Sequence, residues 1–120
     1  MKNNLNITEN IQICAVDFAF KRIGGKYKAR ILWYLFLKGV LRYGELSRTM
    51  PDITTKMLTQ TLRELEEDKL INRKVYQVVP PKVEYSLSET GYELIPFIEH
   101  LHNWGKKQIA KEIEECEVCK

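Results

Sequence analysis

Residues 53–87 read ITTKMLTQTLRELEEDKLINRKVYQVVPPKVEYSL, and this stretch decides the fold. Its first half carries an apolar stripe at the i, i+4, i+7 spacing of one face of an α-helix. The stripe consists of Met57 or Leu58, Leu62 and Leu65. The spacing therefore predicts an amphipathic helix over residues 54–68.

The second half of the same stretch contains two strand-like runs, residues 73–78 and 83–87. In the second run, apolar and polar side chains alternate, as they do in a half-buried strand. Pro80 and Pro81 lie between the runs and cannot donate to a strand ladder, so they predict a stiff, exposed hairpin loop. Lys82 is expected at its tip, where it could contact a phosphate. The alternative is a rigid loop that only promotes solubility.

The residues that precede this stretch predict three more helices. Gly24 and Gly25 separate the first from the second, and Gly39 follows the second as a cap. Pro51 and Asp52 punctuate the turn before the helix over 54–68. The predicted helices span residues 13–22, 26–38 and 43–50, with a brief strand over residues 40–42.

A long C-terminal helix is predicted after the hairpin, with Ser88 as its N-cap. Pro96 should kink this helix or force it to restart. Its apolar residues are Leu94, Ile98, Leu101, Trp104 and Ile109. From residue 26 onward, three helices, a hairpin and a terminal helix follow each other in the order of a winged helix-turn-helix. The predicted fold class is thus mainly α with a small β-hairpin.

The face of the 54–68 helix opposite its apolar stripe carries short hydroxyls, an amide and two cations. Such side chains can bind phosphates and read base edges. Acidic residues crowd the far end, so a helix that enters a groove with its N-terminus first would keep them away from DNA. The plainer interpretation is an ordinary solvated helix face. The polar residues are Thr55, Lys56, Thr59, Gln60 and Arg63.

The chain has 120 residues and a net charge of +3, which suits one domain with one modest core. We expect a flexible arm over 1–10, a DNA-binding domain over 11–105 and a helical extension or tail over 106–120. No secretory signal or bilayer-spanning apolar run is visible, which predicts a cytoplasmic protein without membrane contact. Catalytic motifs are also missing from the pattern, so we expect no enzyme.

Three segments resemble the HxlR-type winged-helix family of bacterial transcriptional regulators. They are IGGKYKARILWYL, LRYGELSRTMPDITTKMLTQTLRELEEDKLINRKVY and VVPPKVEYSLSETGYELIP. The resemblance implies a homodimer on a two-fold-related operator, with terminal helices as its interface. It places the 54–68 helix in the major groove and the 79–82 wing on the backbone. Repression is the commoner mode by analogy.

Carried over by position, the resemblance assigns DNA contacts to Thr54, Thr55, Lys56, Thr59, Gln60, Arg63, Pro80, Pro81 and Lys82. Charge alone adds Lys26, Lys28 and Arg42 as further candidates. Lys26, at the predicted start of a helix, could hold a phosphate or simply be solvated. A winged-helix module that binds protein instead of DNA is the alternative function; the cationic helix face argues against it.

Cys14 lies where many family members carry a cysteine. In some of those members, this cysteine senses oxidants or electrophiles. Those members usually follow it with proline, whereas Ala15 follows here. Cys14 is thus either a redox-sensing residue or a small hydrophobe at a dimer seam. An unknown small-molecule effector is the other candidate partner. Its ligand pocket at the dimer seam could be lined by Tyr92, Phe97 and Trp104; the alternative is that these side chains simply bury area between subunits.

Cys116 and Cys119 form a C-x-x-C pair near the end of the sequence. A zinc site would need two more ligands. The histidines, His100 and His102, lie on different sides of the predicted helix, so neither a metal nor another cofactor is expected.

Overall fold

The computed structural model describes residues 13–115. Within this range the predicted fold class is confirmed: the chain is mainly helical with a small antiparallel sheet. The elements in chain order are α1 (Ala15–Ile23), α2 (Lys28–Lys38), β1 (Leu41–Arg42), α3 (Tyr43–Thr49), α4 (Thr55–Glu67), β2 (Ile71–Tyr76), β3 (Lys82–Leu87), α5 (Glu89–Glu93) and α6 (Ile95–Glu115).

Several element bounds differ from those that the sequence predicts. Helix α2 begins at Lys28 instead of residue 26, because Gly25 takes a positive φ of 92° and Tyr27 becomes the N-cap. Strand β2 spans Ile71–Tyr76 instead of 73–78, since Ile71 pairs with Leu87 across the hairpin. Full pairing with β3 therefore shifts β2 toward the N-terminus.

The sheet has β3 in the centre, between β1 and β2, and both pairs are antiparallel. Side chains alternate between its two faces. Tyr85 and Leu87 are buried on the face that meets the core. Lys82 and Glu84 lie on the opposite face. Arg42 of β1 lies on that face too, because it is the register partner of Glu84 in the β1–β3 ladder.

Helix α4 is amphipathic as predicted. Thr54 is its N-cap, and the Thr54 Oγ1 accepts a hydrogen bond of 3.1 Å from the backbone N–H of Met57. Met57 is exposed, so Leu58 and not Met57 begins the buried stripe. The buried residues of the helix are Leu58, Thr61, Leu62 and Leu65.

One core forms where α2, α3 and α4 meet the sheet and the start of α6. Phe36 of α2 stays outside this core, although it is apolar: it is 39% exposed and lies beside Trp33. The fully buried side chains of this core are Ile31, Leu32, Leu35, Leu46, Met50, Leu58, Leu62 and Leu65.

The C-terminal helix restarts as predicted. Ser88 caps α5, because its Oγ accepts a hydrogen bond of 3.0 Å from the backbone N–H of Gly91. Leu94 ends α5, and α6 begins at Ile95 with Pro96 in its first turn. Proline is tolerated there because first-turn N–H groups lack helical partners. The predicted domain boundary at residue 105 falls inside α6.

Helices α1 and α6 leave much of their apolar surface exposed. Ile23 is the buried residue of α1, and an edge-to-face contact between Phe20 and Phe97, with ring centroids 6.1 Å apart, joins the two helices. No helix within residues 13–115 is both long and apolar enough to cross a membrane. The exposed apolar side chains of these helices are Val16, Phe18, Phe20, Phe97, Leu101, Trp104, Ile109 and Ile113.

Candidate nucleic-acid interface

The polar face of α4 is open to solvent, and it begins at the N-terminus of the helix. There the unpaired N–H groups and the positive end of the helix dipole favour an anion. All the α4 residues predicted to contact DNA are exposed: Thr54, Thr55, Lys56, Thr59, Gln60 and Arg63. The structure thus brings together the helix residues that the sequence singles out.

A tyrosine of the preceding helix holds part of this face. The Tyr43 hydroxyl donates a hydrogen bond of 3.1 Å to the backbone carbonyl of Thr55. It also lies 3.0 Å from the Thr59 Oγ1. Sequence reasoning missed Tyr43, because only the fold brings it beside residues 12 and 16 positions away.

Gln60 and Lys28 are both engaged with Glu64. The Gln60 Nε2 donates a hydrogen bond of 2.9 Å to one carboxylate oxygen, and the Lys28 Nζ lies 3.3 Å from the other. Both contacts, that of Gln60 foremost, lower the pKa of Glu64. The Lys28 side chain is only 16% exposed. The ion pair joins α2 to α4, and the contact of Lys28 with DNA stays a prediction.

Arg63 shares a cleft with the sheet. The cleft is lined by Thr59, Arg63 and Glu66 of α4 and by Arg73 and Tyr85 of the hairpin strands. Arg73 is an exposed cation that sequence reasoning left out of the site. Its signal was the basic run NRK, but the run alone does not show that it faces α4.

The wing differs from the prediction at Lys82. Lys82 is not at the loop tip; it is the first residue of β3 and pairs with Tyr76. Its ammonium lies 4.4 Å from the centre of the Tyr76 ring and 3.7 Å from a carboxylate oxygen of Glu84. The tip is apolar instead: it is formed by residues 77–81, and Val79 is 99% exposed.

The other charge-based candidates are both exposed. Lys26 lies two residues before α2, so the predicted position at a helix start is wrong, and its ammonium stands 5.5 Å from the centre of the Tyr27 ring. Arg42 precedes α3, and its backbone N–H donates a hydrogen bond of 2.8 Å to the Glu45 carboxylate. This bond fixes the start of α3.

Comparison with known proteins places this arrangement in a family. The model of the HxlR-like helix-turn-helix family matches residues 22–113. The chain belongs to the HxlR-like helix-turn-helix family. It is 46% identical over 106 residues to the uncharacterized HTH-type transcriptional regulator YybR from Bacillus subtilis, a match that covers 88% of this chain and 84% of the relative.

Other relatives agree with this HxlR-like assignment. An uncharacterized HTH-type transcriptional regulator from Methanothermobacter thermautotrophicus is 51% identical over 94 residues, which is 78% of this chain and 71% of that protein. The reduced form of the redox regulator HypR has a TM-score of 0.78 and 41% identity, covering 86% of this chain and 100% of that one. The chain is therefore a regulator of the DNA-binding, helix-turn-helix kind.

Of the three cysteines of this HxlR-like chain, the structure describes one, Cys14. Cys14 is exposed and is the N-cap residue of α1. The predicted tail pair, Cys116 and Cys119, lies outside the described residues. His102 stacks on Trp33 with ring centroids 4.9 Å apart, so this imidazole packs between α6 and α2.

Proposed function

We propose that this HxlR-like chain acts as a homodimer on a two-fold-related operator and represses transcription there. Helix α4 enters the major groove with its N-terminus first, and the wing, including Pro81 and Lys82, runs along the backbone. The exposure of the whole polar face of α4 is the observation that carries the proposal. A regulator of this kind works where the chromosome lies, in the cytoplasm.

The chemistry of the α4 face suits this role. Thr54, Thr55 and Lys56 surround the helix N-terminus, where a phosphate is favoured by the dipole and by unpaired N–H groups. Arg63 and Gln60 lie further along the same face and are long enough to read base edges. Arg73 adds a cation from the sheet side. The carboxylates of Glu66 and Glu67 follow at the far end of the helix.

The exposed apolar surface of α1 and α6 supports a homodimer. A groove between the two helices is lined by apolar side chains, Val16, Phe20, Ile23 and Phe97 among them. Exposed aromatic and aliphatic residues in one continuous patch are typical of subunit interfaces.

Charge placed on this patch tests the dimer. Val16→Asp and Ile109→Asp each put a carboxylate on a side chain that is 61% exposed. Sedimentation should show a monomer for both and a dimer for the wild type and for Leu37→Asp, a matched change on α2. A dimer that survives both interface substitutions would contradict this interface.

A redox effector is the second part of the proposal. Cys14 is exposed beside the proposed dimer surface, and the structural neighbour HypR is described as a redox regulator. Oxidation of this thiol by hydrogen peroxide would change the polarity of the seam. Operator affinity should respond to mild oxidation in the wild type and not in Cys14→Ser. Equal responses would leave Cys14 as a packing residue.

Selection of bound sequences from a random DNA pool tests the proposed function as a whole. The wild type should enrich a two-fold-related motif with half-sites about 34–36 Å apart, one helical turn of DNA. Enrichment of a single short half-site would contradict the dimer. Failure to enrich any sequence would favour the protein-binding alternative.

A further inference from the structure

Tyr43 reaches from the N-terminus of α3 to two groups of α4. Its hydroxyl oxygen lies 3.1 Å from the carbonyl oxygen of Thr55 and 3.0 Å from the Thr59 Oγ1. A tyrosine hydroxyl has one hydrogen to donate, as has a threonine hydroxyl, and a carbonyl has none. The direction of each hydrogen bond in this group therefore follows from counting hydrogens.

The hydrogen of Tyr43 must point to the Thr55 carbonyl, since two acceptors at that distance would otherwise repel each other. The contact between the two hydroxyls then needs the hydrogen of Thr59. Thr59 thus donates to the Tyr43 oxygen and keeps only its lone pairs for any other partner. Thr59 is exposed on the polar face of α4, so these lone pairs are what it can offer to DNA.

We propose that Tyr43 is a specificity-determining residue that turns Thr59 into an acceptor-only reader of DNA. In the major groove, adenine and cytosine present exocyclic amines that donate, whereas guanine and thymine present acceptors. Thr59 therefore favours adenine or cytosine at the base it faces. The inference rests on the proposed function, because it concerns how α4 reads an operator.

The hydroxyl of Tyr43 carries the prediction, so Tyr43→Phe is the central variant. Once Tyr43 is Phe, Thr59 can rotate its hydroxyl and donate as well as accept. We expect the preference for adenine or cytosine over guanine or thymine to weaken at one base pair in each half-site by about 2- to 10-fold, the range of one net hydrogen bond. Preferences at all other base pairs should persist. Competition binding with operators changed one base pair at a time measures this.

Variants of Thr59 identify the base pair independently. Thr59→Val should abolish the preference at the same base pair, whereas Thr59→Ser, which keeps the hydroxyl, should retain it. The double variant Tyr43→Phe/Thr59→Val should match Thr59→Val alone. Thr90→Val removes an exposed hydroxyl from α5 and is the matched control, with every preference unchanged.

The outcomes separate this inference from the proposed function. A uniform loss of affinity in Tyr43→Phe would overturn it, because that result marks a structural role. A change at a different base pair from Thr59→Val would overturn it as well. If the wild type selects a motif and Tyr43→Phe shows the same base preferences as the wild type, this inference is overturned and the proposed function stands. If the wild type selects no motif, the proposed function and the inference fall together.

Discussion

The Arg30 guanidinium binds the Asp52 carboxylate through two hydrogen bonds, Nη1 to Oδ2 at 2.8 Å and Nη2 to Oδ1 at 3.0 Å. Bidentate pairs of this kind are stronger and more directional than single contacts. Arg30 lies on α2, and Asp52 lies in the turn that leads from α3 into α4. The pair thus ties the proposed recognition helix to the rest of the domain. It also lowers the pKa of Asp52 to about 2, chiefly through the hydrogen bond with Arg30.

Asp52→Asn should reduce the loss of thermal stability that the wild type shows as the pH is lowered. The folded-state pKa of Asp52 lies below its ordinary value of 3.8, so the pair stabilises the protein above about pH 4 and this contribution is lost as the pH falls toward 2. The variant should melt below the wild type at pH 7, and the difference should vanish near pH 2. Thermal unfolding followed by circular dichroism measures both, with Glu112→Gln on α6 as control. A constant difference over this range would contradict the pairing.

Arg63→Ala should weaken binding to the selected operator by about 1–3 kcal/mol and change binding to random DNA much less. The reason is that Arg63 can contact a base edge only in the operator, which carries the matching base, so only the operator loses that contact. Parallel titrations of operator and random DNA by fluorescence anisotropy measure the two affinities. Lys107→Ala, which removes a cation from α6, should change neither. Equal losses on both DNAs would make Arg63 a phosphate contact.

Lys82→Ala should reduce the salt dependence of DNA binding by about one unit of slope, because one phosphate contact and its released counterion are lost. In the free protein Lys82 is paired with Glu84, so the matched variant Glu84→Gln should release the ammonium and tighten binding at low salt. Affinities measured across a series of salt concentrations give the slope. An unchanged slope in Lys82→Ala would remove this residue from the interface.

Gly91→Ala should destabilise the domain by about 1–3 kcal/mol, the usual range for overpacking. A Cβ at residue 91 would collide with the backbone carbonyl of Leu70, which cannot move without disturbing the turn after α4. Urea unfolding measures the loss. At Gly44 an added Cβ meets only the end of the Arg48 side chain, at 3.5 Å, so Gly44→Ala should keep or raise stability. Similar losses for both variants would contradict the steric account.

The α4 helix and its buried stripe were predictable because helical periodicity is local. The cap at Ser88 and the helix restart at Pro96 were predictable for the same reason: each depends on residues within one turn. The position of Lys82 was not, because the length of β2 depends on pairing with β3. The ion pair between Lys28 and Glu64 was not predictable either, since it forms only where α2 packs beside α4.

The sequence by itself determined the order of helices and strands, the polar face of α4 and the family. The polar face depends on spacing within a single element, where geometry is set by the backbone period. The order of elements and the family depend on motifs that follow one another along the chain. Only the tertiary structure decided that Tyr43 touches Thr59, that Arg30 clamps Asp52 and that Arg73 faces the same cleft as Arg63. Each of these contacts joins residues at least ten positions apart, and the packing of whole elements against the core is what brings them together.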